Sequence, residues 1–207
     1  MIALRTERLC LDAPRESDID AVYRACQDAD ILRWIPLPNP YTVESAEFFV
    51  RSYVPHGEAS GAFTVWALRI DDAPLLGVVE VRRDRTAGSA SVGCWLAADA
   101  RGNGYMREGL ARVVAFALDA NGMAFTRLRW EHLDGNSASR RLAESVGFVF
   151  DEEPGSTRAF GDARPARIGY LRAPANDVRA AEARVRAADS ARATRRTRSA
   201  GDGAGRG

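Results

Sequence analysis

Apolar and polar positions change their spacing several times along the chain, and each change marks an element. Leu9 and Leu11 alternate with Arg8 and Cys10, the period of a short first strand. Ser17 stands where a helix would begin, with Asp20 three residues on and Ile19, Val22, Tyr23 and Cys26 at helical spacing. Pro36, Pro38 and Pro40 break the pattern, and Thr42 then predicts the cap of a second helix with Ala46, Phe49, Val50 and Tyr53 on one face. Three strand-like runs follow, over residues 63–70, 75–82 and 90–96. They are separated by Asp71-Asp-Ala-Pro74 and by a turn at Gly88, the punctuation of an antiparallel meander.

The strongest helical signal runs from the turn at residues 101–106 to about residue 121. Leu110, Val113, Val114, Ala117 and Leu118 form its apolar stripe, and Gly122 supplies a stop. Thr126, Leu128 and Trp130 alternate as a fifth strand, residues 137–146 predict a short helix ended by Gly147, and residues 148–150 and 167–171 predict a closing pair of strands. The order is mixed α/β. From Ala175 onward the chain is rich in Ala, Arg, Asp, Ser and Gly, with no aromatic residue and hardly any large aliphatic one, so burial there cannot offset the entropy of ordering. The expected organisation is one domain over residues 1–174 and a disordered tail over 175–207, transiently helical at 179–193.

Composition narrows the function. With 207 residues, 46% hydrophobic, the chain can bury a sizeable single core. Its first residues lack the apolar run of a signal peptide, and no stretch approaches the roughly 18 apolar residues of a membrane span, so the expectation is a soluble cytoplasmic protein. Cys10, Cys26 and Cys94 are odd in number and far apart, and His56 and His132 have no neighbouring ligands. That pattern points to structural thiols and to neither a disulfide framework nor a metal site. All 29 basic residues are Arg. With no Lys, the N-terminus is the chain's sole primary amine for self-acetylation. The residues from 175 on carry eight Arg and four acidic groups, leaving 21 Arg against 24 acidic residues before them. A mildly acidic body suits a cationic or amine-bearing substrate better than nucleic acid, whose binding would fall to the Arg-rich tail.

The candidate chemistry lies where the run 90–96 passes through Ala97-Ala-Asp-Ala100 into Arg101-Gly-Asn-Gly-Tyr-Met106 and the strong helix. Glycines let successive N–H groups converge, the helix start adds its positive dipole end, and Arg101 and Arg107 add charge, which together suit a pyrophosphate. A nucleotide P-loop would need Lys and Ser or Thr after the second glycine, and a dinucleotide fold would place its Gly-rich turn after an early strand. Neither condition holds.

The segment resembles the acetyl-coenzyme A turn of the GNAT acetyltransferases: Arg or Gln, two residues, Gly, one residue, then Gly or Ala, filled by Arg101, Gly104 and Met106. Met106 departs from the usual small residue. Gly102, Tyr105 and Glu108 resemble the branch that acetylates ribosomal-protein N-termini, the RimJ and RimL type. The likeness spans roughly residues 5–172 and takes in Thr6-Glu-Arg-Leu9, Val92-Gly-Cys-Trp-Leu96, and Asn136-Ser-Ala-Ser-Arg-Arg141 leading to Gly147-Phe148. It implies the GNAT fold, a mostly antiparallel central sheet of about seven strands with two strands splayed into a cleft, flanked by about four helices. It implies acetyl-CoA as cosubstrate without a metal, an amine acceptor such as a protein N-terminus or a small molecule, direct attack in a ternary complex, and a monomer or homodimer. By the same likeness, Arg101, Gly102, Asn103, Gly104, Tyr105, Met106 and Arg107 hold the pyrophosphate. The backbone around Leu96 and the Asn136 side chain hold the pantetheine arm, and Ser139 points at the thiol. The plain alternative for Asn136 and Ser139 is helix capping.

Acetyl transfer needs a neutral amine, a polarised thioester and a proton for the departing thiolate. Lysine-type amines titrate near 10.4 and N-terminal amines near 7.7–8.0, so the former lean harder on a base. Glu80, on the run 75–82, could take the proton through a water, against the reading that it is an exposed strand carboxylate. Glu131 is the second candidate, whereas Glu108 reads as a structural charge at the helix start. Where many GNAT enzymes carry a Tyr acid, four residues before the Gly-Phe pair, this chain has Ala143, which turns the acid role to Ser139. Trp34, Tyr41, Phe48 and Phe49 flank the Pro-rich break, where the resemblance puts a substrate mouth, although such spacing also describes core. A non-catalytic acetyl-CoA-binding regulatory module is the alternative function.

Overall fold

The computed structural model describes residues 1–150, 158–159 and 163–174; the expected tail at 175–207 lies outside them. An eight-stranded sheet forms the middle layer. Its order is β1 (Leu4–Arg5), β2 (Cys10–Asp12), β3 (Phe63–Arg69), β4 (Gly77–Arg83), β5 (Ser89–Leu96), β6 (Arg127–Leu133), β10 (Ala166–Arg172) and β7 (Val149–Phe150). A separate hairpin joins β8 (Arg158–Ala159) and β9 (Ala163–Arg164). Neighbouring strands in the main sheet are antiparallel except for the parallel pair β5–β6. The first strand expected at Arg8 is a hairpin instead, with Thr6 N–H donating to the Leu9 carbonyl across the turn.

Helices cover both faces. On one side α5 (Tyr105–Leu118) and α6 (Ser137–Ser145) pack over Trp66, Leu68, Val79, Val81, Leu128 and Trp130. On the other, α1 (Ile19–Ala25), α2 (Ala29–Trp34), α3 (Val43–Phe48) and α4 (Val54–Ser60) pack over Val65, Ala67, Val78 and Trp95. Alternate residues of β3 therefore enter opposite cores, which is why that run reads as nearly continuous hydrophobicity. The α5 stripe is buried as its spacing predicts, each large aliphatic member contributing roughly 1.5–3 kcal/mol relative to exposure. The helix ends at Leu118, short of residue 121, because the Asp119 carboxylate accepts from Asn121 N–H at 2.7 Å and draws the backbone into a turn.

Three further corrections concern the first half. Asp18, not Ser17, organises the start of α1: its carboxylate accepts from Arg15 N–H at 2.7 Å while the side chain is fully buried. α2, which the Pro-rich composition hid, is capped by the Asp28 side chain accepting from Ile31 N–H. The third concerns the helix capped by Thr42, whose expected apolar face reached Tyr53 and which extends beyond it. It widens into a π-helical turn at Phe49–Tyr53 and continues as α4. Pro55 lacks an N–H and its ring would crowd the carbonyl four residues back, and a π turn relieves both problems. Among the described residues no helix is long and apolar enough to cross a membrane.

Candidate active site

The parallel pairing of β5 and β6 lasts from Ser89↔Arg127 to Val92↔Trp130 and then stops, although β5 remains paired with β4 as far as Leu96. Antiparallel strands alternate the direction of their peptide groups. Since Ala97 N–H donates to the Leu76 carbonyl, Trp95 and Gly93 face β4, while Cys94 and Leu96 turn their peptide groups toward the gap left by β6. Opened strands, the turn before α5 and the Pro-rich segment together line a cleft of about 1490 Å³. Single-ligand sites measure about 300–1,000 Å³, so two substrates can occupy this one together.

At one end the chain turns through Gly102 and Gly104, with φ of +81° and +78°, a backbone region that L side chains rarely adopt. Gly104 is the N-cap of α5, no side chain caps this end, and Glu108 N–H is the first to reach a helical carbonyl, that of Gly104. The first-turn N–H groups of Tyr105, Met106 and Arg107 therefore remain for an anion. Arg107 is exposed and makes no ion pair among the described residues. Arg101 lines the cleft and donates to the Leu96 carbonyl at 3.3 Å and to Asp28 at 2.8 Å, and the latter hydrogen bond holds the Asp28 carboxyl below its ordinary value. Asn103 braces the turn by donating to the Ala100 and Arg101 carbonyls. Met106 is buried in the core, which accommodates its size. Glu108 is structural, accepting from Thr6, Arg8 N–H and Arg8 Nε. Arg8, which the sequence did not single out, also donates to the Asn103 carbonyl at 3.1 Å and lies 4.8 Å over the Tyr105 ring, tying the first hairpin to the turn.

On the face of β6 toward α6, Trp130 Nε1 donates to Ser139 Oγ at 3.0 Å. That bond occupies an acceptor lone pair of the hydroxyl and leaves its proton free to donate. The helix cap belongs to Asn136, whose Oδ1 accepts from Ser139 N–H at 3.1 Å; the Ser139 side chain takes no part in it. Asn136 keeps its amide N–H groups, and both residues line the cleft. Cys94 lines it too, its thiol pushed up to about 12 by burial.

On the opposite face, Glu80 lies across from Gly93 in the β4–β5 register, and a Cβ added to Gly93 would meet nothing within 4 Å. Glu80 is tied rather than freely exposed. It accepts from Tyr53 Oη at 2.8 Å and Arg82 Nε at 2.9 Å, while Arg82 Nη2 donates to Tyr53 Oη at 2.5 Å. Burial, and then the Glu80 carboxylate, push the Tyr53 hydroxyl up to about 12, so it stays a donor. Glu131, on the same side, accepts from Arg129 at 2.7 Å. The four aromatics divide: all line the cleft, with Tyr41 buried and Phe48 largely exposed.

The acetyltransferase (GNAT) domain family matches residues 8–149, and the chain belongs to that family. Solved structures agree in fold. The acetyl transferase from Salmonella typhimurium described as modifying the N-terminal serine of ribosomal protein L7/L12 is 18% identical, with 82% of this chain and 97% of that one covered and a TM-score of 0.69. RimL, the ribosomal L7/L12 alpha-N-protein acetyltransferase, solved with coenzyme A, is 18% identical over 86% and 99%, with a TM-score of 0.72. The microcin C7 self-immunity acetyltransferase MccE, solved with acetyl-CoA and AMP, is 14% identical over 81% and 93%, with a TM-score of 0.70. No curated protein sequence matches the chain.

Proposed function

We propose that the chain is a cytoplasmic acetyl-CoA-dependent N-acetyltransferase that moves an acetyl group to a primary amine by direct attack in a ternary complex. The observation that carries this reading is the parting of β5 from β6 after Val92, beside an uncapped helix start. The first-turn N–H groups of α5, with Arg107, receive the pyrophosphate. The freed peptide groups of Cys94, the Leu96 N–H and the Asn136 amide hold the pantetheine arm and polarise the thioester carbonyl. Access from the Glu80 face lets the amine reach that carbonyl through the gap.

As the amine nitrogen bonds to the carbonyl carbon, its proton passes through a water to Glu80, with Glu131 the second candidate. The C–S bond then breaks and the Ser139 hydroxyl, which Trp130 holds in a donor orientation, donates a hydrogen bond to the departing thiolate, whose proton comes from solvent. A relay through Cys94 would need its thiolate, which burial disfavours. Asp84 and Glu131 line the same cleft, each paired with Arg129, as Glu80 is paired with Arg82. The test is a panel of N-terminal peptides, polyamines and small amines with acetyl-CoA, read by release of free thiol. Turnover with any of them excludes a silent binding module, whereas acetyl-CoA binding without turnover across the panel favours that module.

A further inference from the structure

His132 Nε2 is a buried side-chain nitrogen with no hydrogen-bond partner among the described residues. The residue is 7% exposed, and it forms part of the cleft wall. Its other nitrogen, Nδ1, lies 2.9 Å from the Leu133 carbonyl, which can only accept, so Nδ1 carries a proton and the tautomer that satisfies this bond presents Nε2 as a bare lone pair. The Phe150 ring, edge-on at 5.2 Å, holds the imidazole in place. Buried acceptors rarely go unmatched in a finished structure, so an unmatched one in a cleft wall points to a missing donor.

His132 stands two residues beyond Trp130 and therefore on the same face of β6, past the point where that strand leaves β5. Trp130 holds Ser139 on that face. β6 and α6 thus contribute to the cleft wall a hydroxyl donor, Ser139, and an imidazole acceptor, His132. We propose that His132 Nε2 accepts a hydrogen bond from the pantetheine arm of the acyl donor, next to the position where Ser139 donates one. This rests on acetyl-CoA being the ligand. The arm carries three kinds of donor: amide N–H groups and a secondary hydroxyl, present in acetyl-CoA and in free coenzyme A, and the thiol S–H, present in free coenzyme A alone.

The experiment is calorimetric titration of acetyl-CoA and coenzyme A into the full chain, as wild type, His132→Phe and His132→Gln, with thermal unfolding of each protein without ligand. Phe keeps the ring shape and removes the lone pair; Gln restores an acceptor near the Nε2 position. His132→Phe should be at least as stable as wild type without ligand, because it removes an unmatched polar atom, and yet bind roughly tenfold more weakly, the worth of one hydrogen bond to a buried group. His132→Gln should recover most of that loss. Weakening of both ligands supports the proposal, with an amide N–H or the hydroxyl of the arm as the donor, whereas weakening of coenzyme A alone overturns it, because acetyl-CoA lacks the thiol S–H. Equal affinities in all three proteins overturn the proposal while leaving acetyl-CoA binding intact; a wild type that binds neither ligand removes the functional reading as well, so the two failures are distinct. If His132→Phe does not fold, nitrogen NMR of the wild type decides, since the chain has only two histidines. The His132 Nε2 signal should shift on saturation with ligand, and an unmoved signal overturns the proposal.

Discussion

Arg69 and Arg82 lie near the ends of adjacent strands and each meets carboxylates, yet their side chains are 1% and 42% exposed. Arg69 donates Nε to Asp12 at 2.8 Å and both terminal nitrogens to Asp18 at 2.9 and 2.8 Å, with a further bond to the Ala73 carbonyl. Asp18 in turn accepts from Arg15 and Leu75 N–H groups. These partners satisfy one another and leave no room for a ligand. Arg82, Tyr53 and Glu80 use the same kinds of bond, but the cluster borders the open space over Gly93. Ion pairing alone therefore says little about function; what separates a fastener from a site is whether a charged group still faces unfilled space.

The largest effect that would sharpen this contrast is Asp18→Ala, which leaves Arg69 buried without its main partner and should cost about 3–5 kcal/mol in urea unfolding. Burial tends to raise the Asp18 carboxyl, but the Arg69 hydrogen bonds and the Arg15 and Leu75 N–H groups outweigh it, and its pKa is lowered. Its stabilisation is then complete above the unfolded carboxyl value near 4 and is lost as pH falls through the lower folded value. Asp18→Asn should remove that part of the acid sensitivity, and an unchanged acid profile would count against the pairing.

Next comes Ser139→Ala, expected to lower kcat and kcat/KM together by about 100-fold with little change in acetyl-CoA affinity. It should also cost about 1 kcal/mol, because Trp130 Nε1 loses its acceptor. Lost stability with full turnover would leave Ser139 only a structural role. Glu80→Gln should lower kcat/KM for the amine roughly tenfold while costing under about 1 kcal/mol, since Arg82 is well solvated. If stability falls as far as in Asp18→Ala, the two clusters are alike and the contrast fails. The smallest effect belongs to Gly93→Val, which should shift stability by about 0.5 kcal/mol or less, as a β-branched residue suits a strand. It should nonetheless raise KM for the amine severalfold by filling the space opposite Glu80; an unchanged KM would place the acceptor elsewhere.

Much of the fold was legible from spacing alone. The apolar runs of β3 to β5, the α5 stripe and the Thr42 cap depend on local geometry, and local geometry is written in neighbouring residues. The Gly102 and Gly104 turn was legible for the same reason, because positive φ restricts the residue type at a single position. A glycine inside β5 was a further signal, since strands seldom leave such a position empty. The sequence thus marked β3 to β6, α5 and α6 in their order, a candidate anion-binding turn and a candidate role for Glu80, and its family resemblance added candidate roles for Asn136 and Ser139. Only tertiary structure decided that Arg101 faces Asp28, that Trp130 orients Ser139, that Tyr53 and Arg82 hold Glu80, and that His132 keeps an unmatched nitrogen in the cleft wall. Each of these contacts joins residues on different elements or depends on burial. Such pairings leave no periodic trace along the chain, because they arise where the sheet brings distant segments together.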